Sequence, residues 1–145
     1  MIAQLPVDTQ MHGELVVYRR VVDRPGSDDV YELTPRQIGN GILTRLAQGG
    51  ALAADEQVRF LAWDQIPLSA VKPKGKVETP HKERLGNLIR QLKRERDAQL
   101  ALIPTRVVRS LAEALVHYRQ HLAEGKEGTV LKHPDTIWKD GTSKD

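Results

Sequence analysis

The spacing of apolar positions along this 145-residue chain changes several times, and each change marks an element. From Met11 to Tyr18, the run His12-Gly13-Glu14-Leu15-Val16-Val17 has strand composition. Turn chemistry from Arg24 to Asp29 ends that strand near Val22. Ile38, Ile42 and Leu46 then recur at helical spacing. Thr34, Pro35 and Gln37 are placed to open this helix as a capping box, and Gly49-Gly50 to stop it. Val58 to Ile66 is the best strand, holding the single Phe and one of two Trp before Pro67 closes it.

The second half alternates again. Ala70 to Thr79 is a lysine-rich loop with Pro73 and Gly75, and Pro80 to about Arg96 is a helix striped by Leu85, Leu88, Ile89 and Leu92. Leu100 to Val108 reads as a short strand edged by Pro104. Ser110 and Glu113 form a second capping box, opening a helix whose stripe is Leu111, Leu115, Tyr118 and Leu122 and which ends at Gly125. Thr129 to Leu131 then predicts a short buried strand inside Glu127-Gly128-Thr129-Val130-Leu131-Lys132. A turn at His133-Pro134-Asp135 leads into the run from Thr136 to Lys139. Three helices among irregularly spaced strands, without a βαβ rhythm, point to an α+β domain with mainly antiparallel sheet.

Composition narrows the classes. Apolar residues at 39% and charged residues at 28% describe one folded domain rather than a disordered chain. The absence of cysteine excludes disulfides, thiolate metal sites and cysteine nucleophiles, and it fits a cytoplasmic setting. No signal peptide and no membrane span are expected from the apolar runs. The net charge of +3 is unevenly spread: Lys72 to Arg96 holds nine basic residues against three acidic ones. Such a patch suits a polyanion, or a solvated helix face. His117 and His121 have metal-gripping spacing but no third ligand nearby, and they read as solvent-facing. No Walker or Rossmann glycine loop is present.

Four motifs fall in order: His12-Gly13-Glu14-Leu15, Phe60-Leu61-Ala62-Trp63-Asp64, Glu127-Gly128-Thr129-Val130-Leu131-Lys132, and Trp138-Lys139-Asp140-Gly141-Thr142-Ser143. Together they resemble the adenylation (nucleotidyltransferase) domain of ATP-dependent DNA ligases, particularly the compact bacteriophage and bacterial kind. They match that family's motif III (with His12 in place of aspartate), motif IIIa, motif IV, and the run before motif V. The leucine-rich basic helix from Pro80, with Glu83-Arg84-Leu85, is similar to the family's P-x-x-x-R-x-x-x-L run.

The resemblance implies an α+β nucleotidyltransferase fold and one partial adenylation domain over residues 1–145, acting as a monomer with ATP and Mg²⁺ on nicked duplex DNA. It implies roles residue by residue. Glu14 would hold the ribose hydroxyls, Trp63 would stack on adenine, Gly128 would keep the backbone clear of the nucleotide, and Lys132 would lie at or beside the phosphates. Glu127 would hold the magnesium ion, and Phe60 would pack in the core. Lys72, Lys74, Lys76, Lys82, Arg84 and Arg90 would face DNA.

Departures from the family pattern carry expectations too. The family's nucleophilic K-x-D-G lysine precedes motif III, and no lysine precedes Glu14 here. Lys139-Asp140-Gly141 lacks the intervening residue and does not replace it. The K-x-K of motif V and an OB-fold domain do not occur in this sequence. The chain by itself is therefore expected to form no covalent adenylate. Other readings are a DNA-binding fragment without chemistry, and a related RNA ligase or capping nucleotidyltransferase.

Overall fold

The computed structural model describes residues 8–21, 30–95 and 97–141. The turn expected over Arg24 to Asp29, the start of the chain, and Thr142-Ser143 lie outside the described residues. In chain order the elements are β1 (Thr9–Val21), β2 (Val30–Leu33), α1 (Arg36–Ala47), β3 (Glu56–Pro67), a 3₁₀ turn (Leu68–Ala70), β4 (Lys76–Val77), α2 (His81–Glu95), β5 (Leu100–Leu102), α3 (Leu111–Ala123) and β6 (Trp138–Lys139). The fold is α+β with three helices, as the sequence predicts.

The main sheet has strand order β2-β1-β3-β5. Its two long ladders are antiparallel, while β5 joins β3 in parallel, with Leu61 opposite Ala101. Alternation along β3 sorts the sheet into two faces. Up to the register shift at Trp63, Val58, Phe60 and Ala62 share one face with Val17, which lies opposite Val58. Helix α1 packs on that face, and α2 packs along β3. Gly39 of α1 lies against Val17, and Arg84 of α2 bonds Asp64. Leu88 is fully enclosed, with Leu85, Ile89 and Leu92 half-buried around it, so the stripe predicted for α2 is its buried face.

A second, two-stranded sheet closes the structure. Val77 pairs with Trp138, and Trp138 packs on the buried cluster of Ile66, Ala70 and Val77. Asp140 then clips the basic loop: its N–H donates to the Gly75 carbonyl at 2.9 Å, and its carboxylate accepts from the Lys74 N–H at 3.2 Å.

Four expectations are corrected. Thr34 does not cap α1, because its hydroxyl donates to the Val17 carbonyl at 2.9 Å and its own N–H donates to the same oxygen at 3.0 Å. Pairing to the sheet outcompetes the local cap. The region predicted as a strand over Leu100 to Val108 stays in the ladder only to Leu102, ahead of Pro104. The stripe of α3 is exposed rather than buried, with Leu111 at 70% and only Ala114 enclosed. A period defines a face but not a partner for it.

Finally, Thr129 to Leu131 is not a strand. Residues 126–133 have no regular structure, and Val130 is 81% exposed. A strand needs a neighbour for its backbone groups, and among the described residues none pairs with this segment.

Candidate nucleotide-facing surface

The candidate site is built around the bulge in the β1–β3 ladder. Glu14 lies opposite Leu61 in the β1–β3 ladder and shares its face, two residues along β3 from Trp63. Both Glu14 and Trp63 are exposed. The register slips between His12 and Gly13: His12 faces Asp64, Gly13 faces Ala62, and Trp63 is the extra residue. A bulge of this kind bends its strand and re-aims a side chain. Farther along the same face, the Arg59 guanidinium lies 4.0 Å from the centre of the Tyr18 ring.

The glycine before Glu14 has a packing reason. A Cβ on Gly13 would stand 2.4 Å from the Leu61 carbonyl oxygen and 2.6 Å from the Phe60 ring. Only a residue without a side chain lets the two strands approach there. His12, where the ligase pattern has aspartate, donates from Nε2 to Gln10 Oε1 at 2.7 Å, and its ring lies 6.0 Å from that of Trp138.

Asp64, the carboxylate following Trp63, is buried. It takes Arg84 Nε and Nη2 at 3.0 and 3.1 Å. Arg84 Nη1 donates in addition to the carbonyls of Thr79 and, at 3.1 Å, Thr136. The structure thus moves Arg84 out of the expected DNA set: its side chain is only 5% exposed, and its donors are engaged. Of the other basic residues, Lys72 and Lys74 are exposed on the loop, Lys76 pairs with Glu78 at 3.2 Å, and Lys82 pairs with Asp135 at 2.9 Å. Arg90 is exposed and bonds Asn87. The Lys82–Asp135 pair holds the lysine's pKa above and the aspartate's below their ordinary values.

The motif IV residues stand apart from Glu14 and Trp63. Glu127 is ion-paired with Arg36 at the start of α1, and both side chains are mostly exposed. Gly128 lets the chain pass over Tyr118; a Cβ would lie 3.4 Å from that ring. Lys132 is exposed and near enough to His81 to disfavour its protonated form, although burial is the larger cause of that imidazole's lowered pKa. His81 Nδ1 is buried without a partner. Among the described residues, no hydrogen bond or ion pair joins these residues to Glu14 or Trp63.

The segment 133–136 is tied down nonetheless. The N–H groups of His81 and Lys82, orphans at the start of α2, donate at 2.8 Å to the carbonyls of Thr136 and Pro134. Sequence reasoning missed this seam and the Asp64–Arg84 pair. The only signal for either was an aspartate and an arginine in an apolar setting, which spacing alone cannot match to each other.

With this geometry in view, comparison with known proteins relates the chain to DNA ligases. It is 28% identical over 155 residues to the DNA ligase of Enterobacteria phage T4, and equally to that of Enterobacteria phage T6. The match takes in 96% of this chain and 31% of either relative, so the chain spans about a third of their length. No family model matches it.

Proposed function

We propose that this chain is the nucleotide-facing part of an ATP-dependent DNA ligase adenylation domain. The observation that supports the reading is that Glu14 and Trp63 are both exposed and flank the bulge in the β1–β3 ladder. A carboxylate is a fitting acceptor for a ribose diol. An exposed indole is a stacking platform for a base. The similarity to the phage DNA ligases over nearly the whole chain supports the same reading.

Within it, Glu127 serves as a single carboxylate anchor for Mg²⁺, an ion that takes one or two carboxylates and completes its shell with water and nucleotide phosphates. The residues fit that role only partly. Glu127 already neutralises Arg36, and among the described residues no cluster of three or more His, Cys, Asp or Glu could hold an ion. Gly128 and Lys132 would border the phosphates. Lys72, Lys74, Lys76, Lys82 and Arg90 would contact the DNA backbone near a nick, a sequence-independent attraction that weakens with salt. The bound metal would supply charge neutralisation at the phosphates.

Calorimetric titration with ATP and with GTP, each with Mg²⁺, tests the reading, alongside nicked duplex DNA and an RNA duplex. Saturable ATP binding and a preference for nicked DNA support it. Binding of GTP in place of ATP, or of RNA in place of DNA, moves the chain to the capping enzymes or RNA ligases. Steeply salt-dependent DNA binding with no nucleotide binding leaves a DNA-binding fragment.

A further inference from the structure

A concave surface distinct from the Glu14–Trp63 face lies between residues 104–106 and the C-terminal half of α3. It is an open cleft of about 430 Å³ into which Arg106, His117, Gln120, His121 and Lys126 contribute. The two histidines expected to face solvent are half-buried here, their ring centres 4.1 Å apart. Their i, i+4 spacing alone could suit a metal ion. The structure decides otherwise.

Charge is the first reason. Arg106 and Lys126 are fixed cations, and the one carboxylate in the cleft, Glu124, is held by Lys126 Nζ at 2.8 Å. A divalent cation would enter against that charge with two imidazoles as its ligands, since no group of three or more metal-binding side chains exists among the described residues. The second reason is the hydrogen bond of 3.1 Å between His117 Nδ1 and Thr129 Oγ1. When the Thr129 hydroxyl donates in it, His117 keeps its proton on Nε2 and is a donor, as Arg106, Gln120 and Lys126 also are.

We infer that this cleft is an anion site that takes a phosphate group, bound by Arg106, Lys126 and the His117–His121 pair. The field within it is consistent with that use. Burial foremost, then Lys126 and His117, hold the His121 pKa below its ordinary value, opposed by Glu124. A bound anion reverses the electrostatic part of this effect, so phosphate binding and protonation of His121 reinforce each other. The inference stands whether or not the chain binds ATP.

The phosphate can belong to a polynucleotide backbone or to a free phosphate, and the test separates the two. Inorganic phosphate is titrated into the full chain while the ring ¹⁵N resonances of its five histidines are followed by NMR. His117 and His121 are expected to shift together and saturably, the apparent pKa of His121 to rise, and His12, His81 and His133 to stay put. Arg106→Gln, a change at an exposed side chain, is expected to weaken binding about tenfold, the loss of one charge-assisted hydrogen bond, without altering thermal unfolding. Saturation by a short duplex oligonucleotide at lower concentration than phosphate assigns the site to a backbone; saturation by phosphate alone assigns it to a free phosphate. Equal small shifts of all five histidines, or saturation by Zn²⁺ with no response to either phosphate source, overturns the inference.

Discussion

Arg84 grips Asp64 through two hydrogen bonds, Nε to Oδ1 at 3.0 Å and Nη2 to Oδ2 at 3.1 Å, in a pair whose side chains are only 5% and 3% exposed. The same guanidinium reaches the Thr79 and Thr136 carbonyls, so one side chain joins β3, the approach to α2 and the segment leading into β6. Removing one member of a buried pair strands the other charge. Arg84→Met is therefore expected to cost about 3–5 kcal/mol of stability in urea unfolding. The double replacement Asp64→Leu with Arg84→Met is expected to recover a large part of that loss.

His81 makes the same seam sensitive to acid. Its folded pKa lies below the ordinary 6.5, chiefly through burial, with Lys132 and Arg84 adding to the effect and Asp64 opposing it. The unfolded chain thus takes up a proton that the folded chain resists, and stability falls as pH drops below about 6.5 until the folded pKa is passed. In His81→Gln, the slope of unfolding free energy against pH over that range is expected to flatten. An unchanged slope would place the acid sensitivity elsewhere.

Much of the fold is legible in the sequence, because β1, β3 and α2 carry strong, self-consistent patterns over many residues. Leu88 sits in the core where periodicity predicts it. What was illegible is partnership. Thr34 looked like a cap and bonds Val17 instead; Leu111 and Leu115 looked buried and face outward; Val130 looked like strand and has no ladder to join. Each error took a local preference as sufficient where a distant neighbour decides. The candidate site divides likewise: Glu14 and Trp63 are brought near each other because two adjacent strands carry them, whereas Glu127 depends on a segment whose position local pattern does not set.

Gly13 offers a sharp packing test. A methyl group there meets the Leu61 carbonyl and the Phe60 ring at under 3 Å, so Gly13→Ala is expected to destabilise the chain by about 1–3 kcal/mol. Shortening the ring in Gly13→Ala/Phe60→Leu relieves part of the clash but leaves the contact with the carbonyl. Partial rescue in thermal unfolding is the expected result.

The basic loop predicts a salt-dependent contact. Lys72 and Lys74 are exposed and near in sequence, and replacing both with Gln is expected to lower the slope of log affinity against log salt for duplex DNA by about 2. An unchanged slope in filter-binding or anisotropy measurements would remove this loop from the DNA-facing surface.

The central claim, that Glu14 and Trp63 form one nucleotide-facing surface, is tested most directly by ATP quenching of Trp63 fluorescence. Trp138→Phe leaves Trp63 as the only tryptophan. The account predicts saturable quenching with Mg-ATP, and a roughly tenfold weaker response in Glu14→Gln, the loss of one strong hydrogen-bond acceptor. Quenching that is absent at millimolar ATP, or that is indifferent to Glu14→Gln, would contradict it.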